Sequence, residues 1–507
     1  MSGVPVDRPS PVHRVLACPE LFRLICDAYS LDYYPLHLIR LSRRIFPVAA
    51  SVIWEDVGVQ RLLALIPGTK RTEQTRDHVL GSICVFDFPS TEINLERFEL
   101  YAPFVRRLYT WDPCAINFPP HWMQPKQGSV AAPLLPNLLH LEIDYRAYFR
   151  REELGWSSMF IGPSLLRFEA RRLSFDEQPQ ARDNIILELV TKMSEVCPRL
   201  ETLSVPSRKD LSLPILDFHN LRDFSINEYG INDELIHALS RLPYLEELSV
   251  SGETVNQSQE TNKEPIKLSD DSFPSLQRLF LNHISPFLIT RFCTSTELFR
   301  KLTAASIFFG SFDKDNVSMD NLKCLNIAVF SLGRNSPHIT DLAISFDGWF
   351  VPSWSIIDLF KHMPLRSLDL CLAPFDSEYT TAHQTEQELP PIGWHDFLAA
   401  VPLLEELKLN AQMFKLSGLP IFATTLPHLR LLELGIDLNG TEEVPTIVDW
   451  HPATRAITVR VNKYMISTIR VPFASIAANT ARSVTLSSLL SSIIDIYLDI
   501  FVTSGQT

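Results

Sequence analysis

The sequence predicts an α/β fold in which short parallel strands stack side by side and helices lie between them along the chain. The first reason is an apolar pattern, L-x-x-L-x-[LIV], that recurs along most of the 507 residues. The second is that stretches with apolar residues at helical spacing separate many of the copies. The third is a proline just before several copies, which stops one helix and begins the turn into the next strand.

The copies of the pattern vary in sequence but keep their apolar positions. The peptide LPYLEELSV at 242–250 is nearly repeated as VPLLEELKL at 401–409. In chain order, the first two apolar positions of the copies are Val105 and Leu108, Leu138 and Leu141, Leu165 and Phe168, Leu200 and Leu203, Leu221 and Phe224, Leu245 and Leu248, Leu276 and Leu279, Ile339 and Leu342, Leu365 and Leu368, Leu404 and Leu407, and Leu429 and Leu432, with weaker copies near Leu302 and Ile457. The typical step lies within the about 20 to 29 residues of a leucine-rich repeat. Single matches are common in an apolar chain, but this long series disfavours an α/β enzyme with unrelated helices and strands.

Three stretches between copies predict helices. The stretch INDELIHALSRL at 231–242 places Leu235 and Leu239 on one face, and 184–196 and 394–401 have similar spacing. One strand and one helix cannot bury both of their faces alone, whereas stacked units can. The predicted fold is therefore a solenoid with parallel strands on its concave side, preceded by a small three-helix domain.

The chain divides into three predicted parts, which are a helical domain at 12–67, the repeats at 95–460, and a C-terminal cap or tail at 461–507. Two polar inserts, 251–272 and 376–391, have almost no apolar content and are predicted loops. Each insert is either inert or a place for phosphorylation or partner contact.

Composition excludes several classes of function. The 59 acidic residues outnumber the 46 basic ones, and the net charge of −13 argues against a nucleic-acid partner. The 17 glycines are about half the usual share, so few are available for a nucleotide-binding loop. The eight cysteines are scattered without a C-x-x-C pair, which indicates a reducing compartment and predicts no zinc site and no cofactor.

No membrane or secretory segment is predicted. The first twelve residues lack the basic start and apolar core of a signal peptide. The most apolar stretch, 483–502, contains Asp495 and Asp499, and a carboxylate at bilayer depth costs about 2.5 to 3.5 kcal/mol. This stretch is interpreted as an amphipathic or capping segment, with a tail anchor as the alternative, and we expect a cytoplasmic or nuclear protein.

No catalytic motif is present in the sequence. A P-loop, H-E-x-x-H, G-x-S-x-G and a dinucleotide-binding glycine motif are all absent. The carboxylate pairs Glu246–Glu247 and Glu405–Glu406 fall at the same place in the repeat, where neighbouring side chains point to opposite faces of a strand. They are interpreted as solvated surface, and the chain is predicted not to be an enzyme.

The segment before the repeats has its own pattern. Three short helices are predicted to begin near Pro19, Pro35 and Pro47. A core of this size is barely stable alone, so the helices are expected to pack on a partner or on the adjoining repeats.

This segment resembles an F-box. The opening of the family pattern is matched by Leu16, Pro19, Leu21 and Ile25. LIRLSRRIF at 38–46 matches its middle, and SVIWEDV at 51–57 matches its close. The continuation LLALIP is similar to that of many fungal F-box-like proteins. The sequence departs from the family pattern at Ala17, Cys18 and Phe46.

The resemblance implies a role. F-box proteins with leucine-rich repeats are substrate receptors of Skp–cullin–F-box ubiquitin ligases, in which the F-box binds a Skp-family adaptor and through it a cullin, while the repeats hold a target protein. The residues implied to face or support the adaptor surface are Leu16, Pro19, Leu21, Ile25, Leu41 and Trp54. For Ile25, Leu41 and Trp54, packing inside the helical segment is an equal alternative. The alternative function is a leucine-rich-repeat scaffold without a ligase.

The target site is expected on the exposed face of the strands. Its residues flank the second apolar position of each copy, and aromatic and arginine side chains are favoured binding anchors. The first strands are therefore preferred, with Arg107, Tyr109, Trp111, His140, Glu142 and Asp144 as candidates.

Overall fold

The structure is a computed structural model, and it forms two compact units, Met1–Leu245 and Glu246–Thr507. The residues it describes are 10–16, 18–28, 43, 46–75, 82–87, 94–110, 114–117, 133–144, 156–171, 179–205, 211–252, 266–293, 295–309, 327–328, 330–346, 360–372, 392–415, 421–422, 425–437, 456–461 and 468–472.

Helices occur in both units, and most are short. The α-helices of the first unit are α1 (Pro11–Leu16), α2 (Pro19–Ala28), α3 (Phe46–Ile53), α4 (Val59–Leu63), α5 (Glu96–Tyr101), α6 (Pro179–Val196), α7 (Ser212–Ile215) and α8 (Asp233–Ser240). The second unit has α9 (Pro286–Cys293), α10 (Thr296–Phe299) and α11 (Ile392–Ala400). The predicted helices at 184–196, 231–242 and 394–401 correspond to α6, α8 and α11.

The first unit contains two sheets. Its strands are β1 (Asp56–Gly58), β2 (Lys70–Thr75), β3 (Ser82–Asp87), β4 (Arg107–Thr110), β5 (Cys114–Asn117), β6 (His140–Asp144), β7 (Arg167–Arg171), β8 (Thr202–Val205) and β9 (Asp223–Asn227). The larger sheet has the order β1-β4-β6-β7-β8-β9, and each neighbouring pair is parallel. In the smaller sheet, β3 pairs antiparallel with β2 and parallel with β5.

The second unit continues the same strand-by-strand pattern. Its strands are β10 (Glu247–Ser251), β11 (Arg278–Asn282), β12 (Ala304–Phe309), β13 (Asp341–Phe346), β14 (Ser367–Leu372), β15 (Glu406–Lys415), β16 (Leu431–Asp437), β17 (Ala456–Val461) and β18 (Thr468–Pro472). From β10 to β17 every neighbouring pair is parallel and follows chain order. Among the described strands of this unit, only β18 pairs antiparallel, on β17.

This succession of parallel strands confirms the predicted leucine-rich-repeat solenoid fold. Every copy of the apolar pattern that the sequence identified precedes or lies on a strand between β4 and β17. The first two apolar residues of the copies are buried almost without exception; Leu203 and Leu407, for example, are each 0% exposed. Burial alternates along strands such as β8 and β10, as expected when one face of a sheet is covered.

A tight turn explains why proline precedes so many copies. The amide of the first apolar residue closes a turn onto the carbonyl three residues back, as in Leu200 to Cys197 at 3.1 Å and Leu404 to Val401 at 3.2 Å. Proline then occupies the second position of the turn, where its fixed φ is favourable. Pro198 and Pro402 are the prolines of these two turns.

Most strands of the repeats begin at a shared backbone acceptor. The carbonyl of Arg106 accepts hydrogen bonds from the successive amides of Leu139 and His140, at 2.8 and 3.0 Å. The carbonyls of equivalent residues make the same pair of bonds to the next strand, at Glu55, Leu139, Leu166, Glu201, Glu246, Gln277, Thr303, Thr340, Arg366 and Glu405. This repeated bond fixes the register of neighbouring strands, although the connections between them differ in length.

Side chains at the turns also join consecutive repeats. The residue just before the first apolar position donates a hydrogen bond to the turn carbonyl of the preceding repeat. Asn137 donates to the carbonyl of Pro103 at 2.8 Å, and Asn220 donates to that of Pro198 at 2.8 Å. Ser164 and Lys301 make the equivalent bonds. At 136–138 and 163–165 the sequence P-[NS]-L therefore carries both a turn and a link between repeats, whereas Asn220 and Lys301 make the link without a preceding proline.

The strand β1 lies inside the segment assigned to the helical domain. Trp54, Val57 and Val59 are buried at the spacing of the repeat pattern, and β1 pairs in parallel with β4. The first repeat therefore overlaps the predicted close of the helical segment.

Several predicted features lie partly or wholly outside the described residues. These are the second predicted helix near Pro35, most of the insert 251–272, all of the insert 376–391, and the apolar tail 483–502. The domain boundaries stay predictions. Among the described residues, no helix combines the length and the apolar character that crossing a bilayer requires.

Candidate functional site

Two surfaces of the first unit are candidate binding sites, and the first is the apolar face of α1 and α2. Its apolar side chains point outward, with Val12 64% and Leu24 63% exposed. Val15 and Leu21 are also exposed, at 40% and 43%. Singly exposed apolar residues are common, but four on two consecutive short helices indicate a surface available to a partner.

The helices beneath this face are fixed to the first repeats. The Trp54 ring stacks on Tyr101 with 4.6 Å between ring centroids, and Phe46 lies 5.8 Å from Tyr101 and 6.2 Å from Phe104. Arg23 of α2 forms an ion pair with Glu55, the residue before β1. Aromatic contacts of this kind add about 0.5–1.5 kcal/mol each beyond simple burial.

A cleft of about 500 Å³ opens between α2, α3 and the turn before β4. It has an apolar wall with Leu24, Val52 and Phe104, and its charged groups include Arg23 and Arg106. The cleft adjoins the exposed α2 face, so one partner segment could contact both.

The predicted adaptor residues occupy different environments. Pro19 and Leu21 are exposed, Leu16 and Ile25 are half-buried, and Trp54 is buried. Trp54 stacks on Tyr101 of α5, which is a contact to the adjoining repeats and not one inside the helical segment. Leu41 lies outside the described residues.

The second surface is the polar face of β4, β6 and β7. The register places Arg107, His140 and Arg167 side by side in one row. Tyr109, Glu142 and Glu169 form the next row. The structure thus brings together four of the six predicted target residues, while Trp111 lies outside the described residues and the side chain of Asp144 is not described.

The centre of this surface is a cluster of His140, Glu142 and Glu169, whose nearest ligand atoms all lie within 4.8 Å of one another. The Nε2 atom of His140 lies 3.5 Å from Oε1 of Glu169, and Nε of Arg167 lies 3.5 Å from the same oxygen. Glu142 is only 8% exposed, which is unusual for a carboxylate on the polar side of a sheet.

The sequence did not single out Glu169 and Arg167. Both flank Phe168, the second apolar residue of a predicted copy, so the rule that selected His140 and Glu142 also applies to them. The omission arose because the first strands were preferred for their aromatic and arginine residues. Their positions opposite Glu142 and His140 follow from the register of β6 and β7, which cannot be read from a sequence whose repeats differ in length.

The described part of the first unit contains three groups with shifted pKa values. Burial raises the pKa of the Cys197 thiol to about 12, against smaller opposing effects of Lys192 and of the Gly162 carbonyl. Burial also lowers the pKa of Lys192, whose Nζ donates to the Ser158 carbonyl at 2.7 Å. The Cys18 thiol, which donates to Glu20 at 3.0 Å, lowers the pKa of that exposed carboxyl. The first two groups belong to the packing beside α6 rather than to either surface.

The polar face of the second unit is arranged differently. Arg278 Nε lies 2.8 Å from Glu247, directly across the neighbouring strand. Just before the strands β14, β15 and β16, Glu405 lies between Arg366 at 3.5 Å and Arg430 at 3.2 Å. Opposite charges therefore face one another at these strands.

Comparisons with known proteins leave the family open. No protein-family model and no curated protein sequence matches the chain. A solved structure described as the crystal structure of a TLR13–ssRNA13 complex is similar over 70% of this chain and 46% of that chain, with 14% sequence identity and a TM-score of 0.30. The matched part spans less than half of that protein, and the fold assignment rests on the strand pairing described above.

Proposed function

We propose that this chain is the target-recognition subunit of a Skp–cullin–F-box ubiquitin ligase. A leucine-rich-repeat fold is suited to binding proteins, and this coarser role as a protein-interaction scaffold follows from the repeats themselves. The finer proposal adds that α1 and α2 bind a Skp-family adaptor, as the F-box resemblance implies. The repeats would then hold a target protein.

The exposed apolar face of α1 and α2 is the observation that supports the adaptor proposal. Leu21 and Leu24 project from the surface while Phe46 and Trp54 attach the segment to the repeats. A helical segment that docks on a partner needs one exposed face for the partner and a second face that is packed on the rest of the protein. Burying four such side chains against a partner would favour binding by about 25 cal/mol per Å² of apolar surface.

The role of the chain would be proximity rather than bond chemistry. Holding a target lysine near the ubiquitin-conjugating enzyme raises the effective concentration of the nucleophile. Such a role requires two separate surfaces, and the α1–α2 face and the polar face of β4, β6 and β7 are separate candidates for the adaptor and the target.

Adaptor binding can be tested with the purified full chain and a purified Skp-family adaptor. We expect the wild-type chain to form a complex and the double variant Pro19→Ala, Leu21→Asp to lose it. Leu213→Asp is the matched control, because Leu213 is 80% exposed on a helix of the same unit, away from this face. Circular dichroism would establish that all three proteins are folded. Undiminished binding by the double variant would refute the proposed surface.

The alternative is a scaffold in which the helical segment only caps the repeats. The stacking of Trp54 on Tyr101 favours this role, because it gives the segment a structural function without any partner. In that case the wild-type chain would not bind the adaptor, whereas Trp54→Ala would lower the stability of the first unit.

A further inference from the structure

The cluster of His140, Glu142 and Glu169 has the composition of a metal site, although the sequence predicted none. His140 and Glu142 are alternate residues of β6 and therefore point to the same face. Glu169 occupies the position of β7 that is in register with Glu142. One imidazole and two carboxylates from adjacent rigid strands thus meet at one point on the sheet.

A cation at this point would relieve an electrostatic repulsion between the two carboxylates. Like charges directly opposite one another on neighbouring strands are destabilising, and Glu142 is largely removed from water. Arg167 contacts the same oxygen of Glu169 as His140 does, so one cationic side chain already approaches the cluster. Because the Arg167 side chain is 48% exposed, it can turn towards solvent if another cation takes its place.

The imidazole provides an independent indication of a ligand. Among the described residues, His140 Nε2 is buried from solvent and makes no hydrogen bond. Its separation of 3.5 Å from Glu169 Oε1 is longer than a good hydrogen bond, which spans about 2.7 to 3.2 Å. Two ligand atoms bound to one tetrahedral zinc ion at about 2.1 Å each lie about 3.4 Å apart. The observed spacing therefore suits two ligands of one metal better than a direct hydrogen bond.

We propose that His140, Glu142 and Glu169 bind a divalent transition metal, with Zn²⁺ as the best match. Mixed nitrogen and oxygen ligands suit zinc, and three protein ligands leave the fourth position to water or to an external ligand. The ligand atoms, which lie within 4.8 Å of one another, would have to move closer together to share one ion. The site lies on the face predicted to bind the target, but it does not depend on the ligase role.

The main experiment is a zinc titration of the full-length, chelator-treated chain by isothermal calorimetry, with bound metal counted by elemental analysis. We expect one zinc ion per chain, and an affinity at least tenfold lower in each of the variants His140→Gln, Glu142→Gln and Glu169→Gln. His237→Gln and Glu247→Gln are matched controls, since one lies on an exposed helix position and the other on a strand of the second unit. Both controls should bind zinc as the wild type does.

A spectroscopic measurement separates this site from binding by cysteines. Co²⁺ in the wild-type site should give a tetrahedral spectrum without a sulfur-to-metal charge-transfer band, and His140→Gln should lose it. No stoichiometric binding by the wild type would overturn the proposal. Equal binding by all three variants, or a thiolate band that survives His140→Gln, would do so as well.

Discussion

The polar faces of the two units have the same backbone arrangement but carry different charged residues in register. In the first unit, Glu142 and Glu169 are opposite one another in register. In the second unit, Ser249 and Phe280 occupy that row. The charged pair there, Glu247 opposite Arg278, lies one row earlier and joins an acid to a base. The apolar side chains of one repeat resemble those of the next, because they all fill the core. The polar side can differ from strand to strand, so it is where an individual protein places its binding chemistry.

The largest expected effect concerns the reactivity of buried thiols. A rise in the pKa of Cys197 from 9.0 to about 12 lowers its thiolate fraction at pH 8 about a thousandfold, and the thiolate is the reactive form. Cys197 and Cys293 are both buried, one in each unit, whereas Cys18 is partly exposed. We expect iodoacetamide to label Cys18 in the native protein and to label the other two only after unfolding, as followed by peptide mass spectrometry.

The same shift predicts a pH dependence of stability. Because folding raises the pKa of Cys197, the thiol stabilises the folded state fully below pH 9.0 and loses that contribution as the pH rises towards about 12. Rapid labelling of Cys197 in the native protein at pH 8 would contradict the buried position.

The next effect tests whether the two apolar cores are equivalent. Leu203→Ala in the first unit and Leu407→Ala in the second each remove a fully buried leucine at the same repeat position. We expect each to cost about 2–5 kcal/mol of unfolding free energy. Peptide-resolved hydrogen exchange should show the loss in the unit that carries the substitution. A cost below about 1 kcal/mol in one unit would show that its core is loosely packed there.

The sequence predicted the apolar side of the fold well and the polar side only in part. Each leucine pattern led to a strand, because burial at fixed spacing is a local property. The first repeat was missed since Trp54, Val57 and Val59 replace the leucines. The smaller sheet was missed as well, because strands such as KRTEQT carry no repeat pattern.

The candidate site shows the same limit. His140 and Glu142 were predicted from their positions beside a leucine. Their meeting with Glu169 follows from the register set by the shared backbone acceptor at Leu139, which accepts from the amides of Leu166 and Arg167 at 2.9 Å each. A contact between strands separated by connections of uneven length is not a local property of the sequence.

A glycine between repeats of the first unit should tolerate no side chain. A Cβ atom at Gly162 would lie 2.8 Å from Cγ of Pro133, and the Gly162 carbonyl accepts from the Cys197 thiol at 3.2 Å. We expect Gly162→Ala to cost about 1–3 kcal/mol through overpacking. Gly58→Ala is the control, because its Cβ would meet the Tyr109 ring at 3.4 Å, an ordinary contact. Equal thermal unfolding midpoints for the two variants would contradict this reasoning.

The smallest effect is the most direct test of the difference between the polar faces. With a chelator present, Glu142→Gln removes a like-charge contact with Glu169 and is expected to stabilise the protein by about 0.2–1 kcal/mol. Glu247→Gln removes an attraction to Arg278 and is expected to destabilise it by a similar amount. With saturating zinc, Glu142→Gln should become less stable than the wild type, because binding stabilises only the protein that retains the site. The effect of Glu247→Gln should keep its sign. Urea unfolding with chelator and with zinc measures the stability change of each variant under both conditions. The same sign for both variants in chelator would mean that the two faces are electrostatically alike.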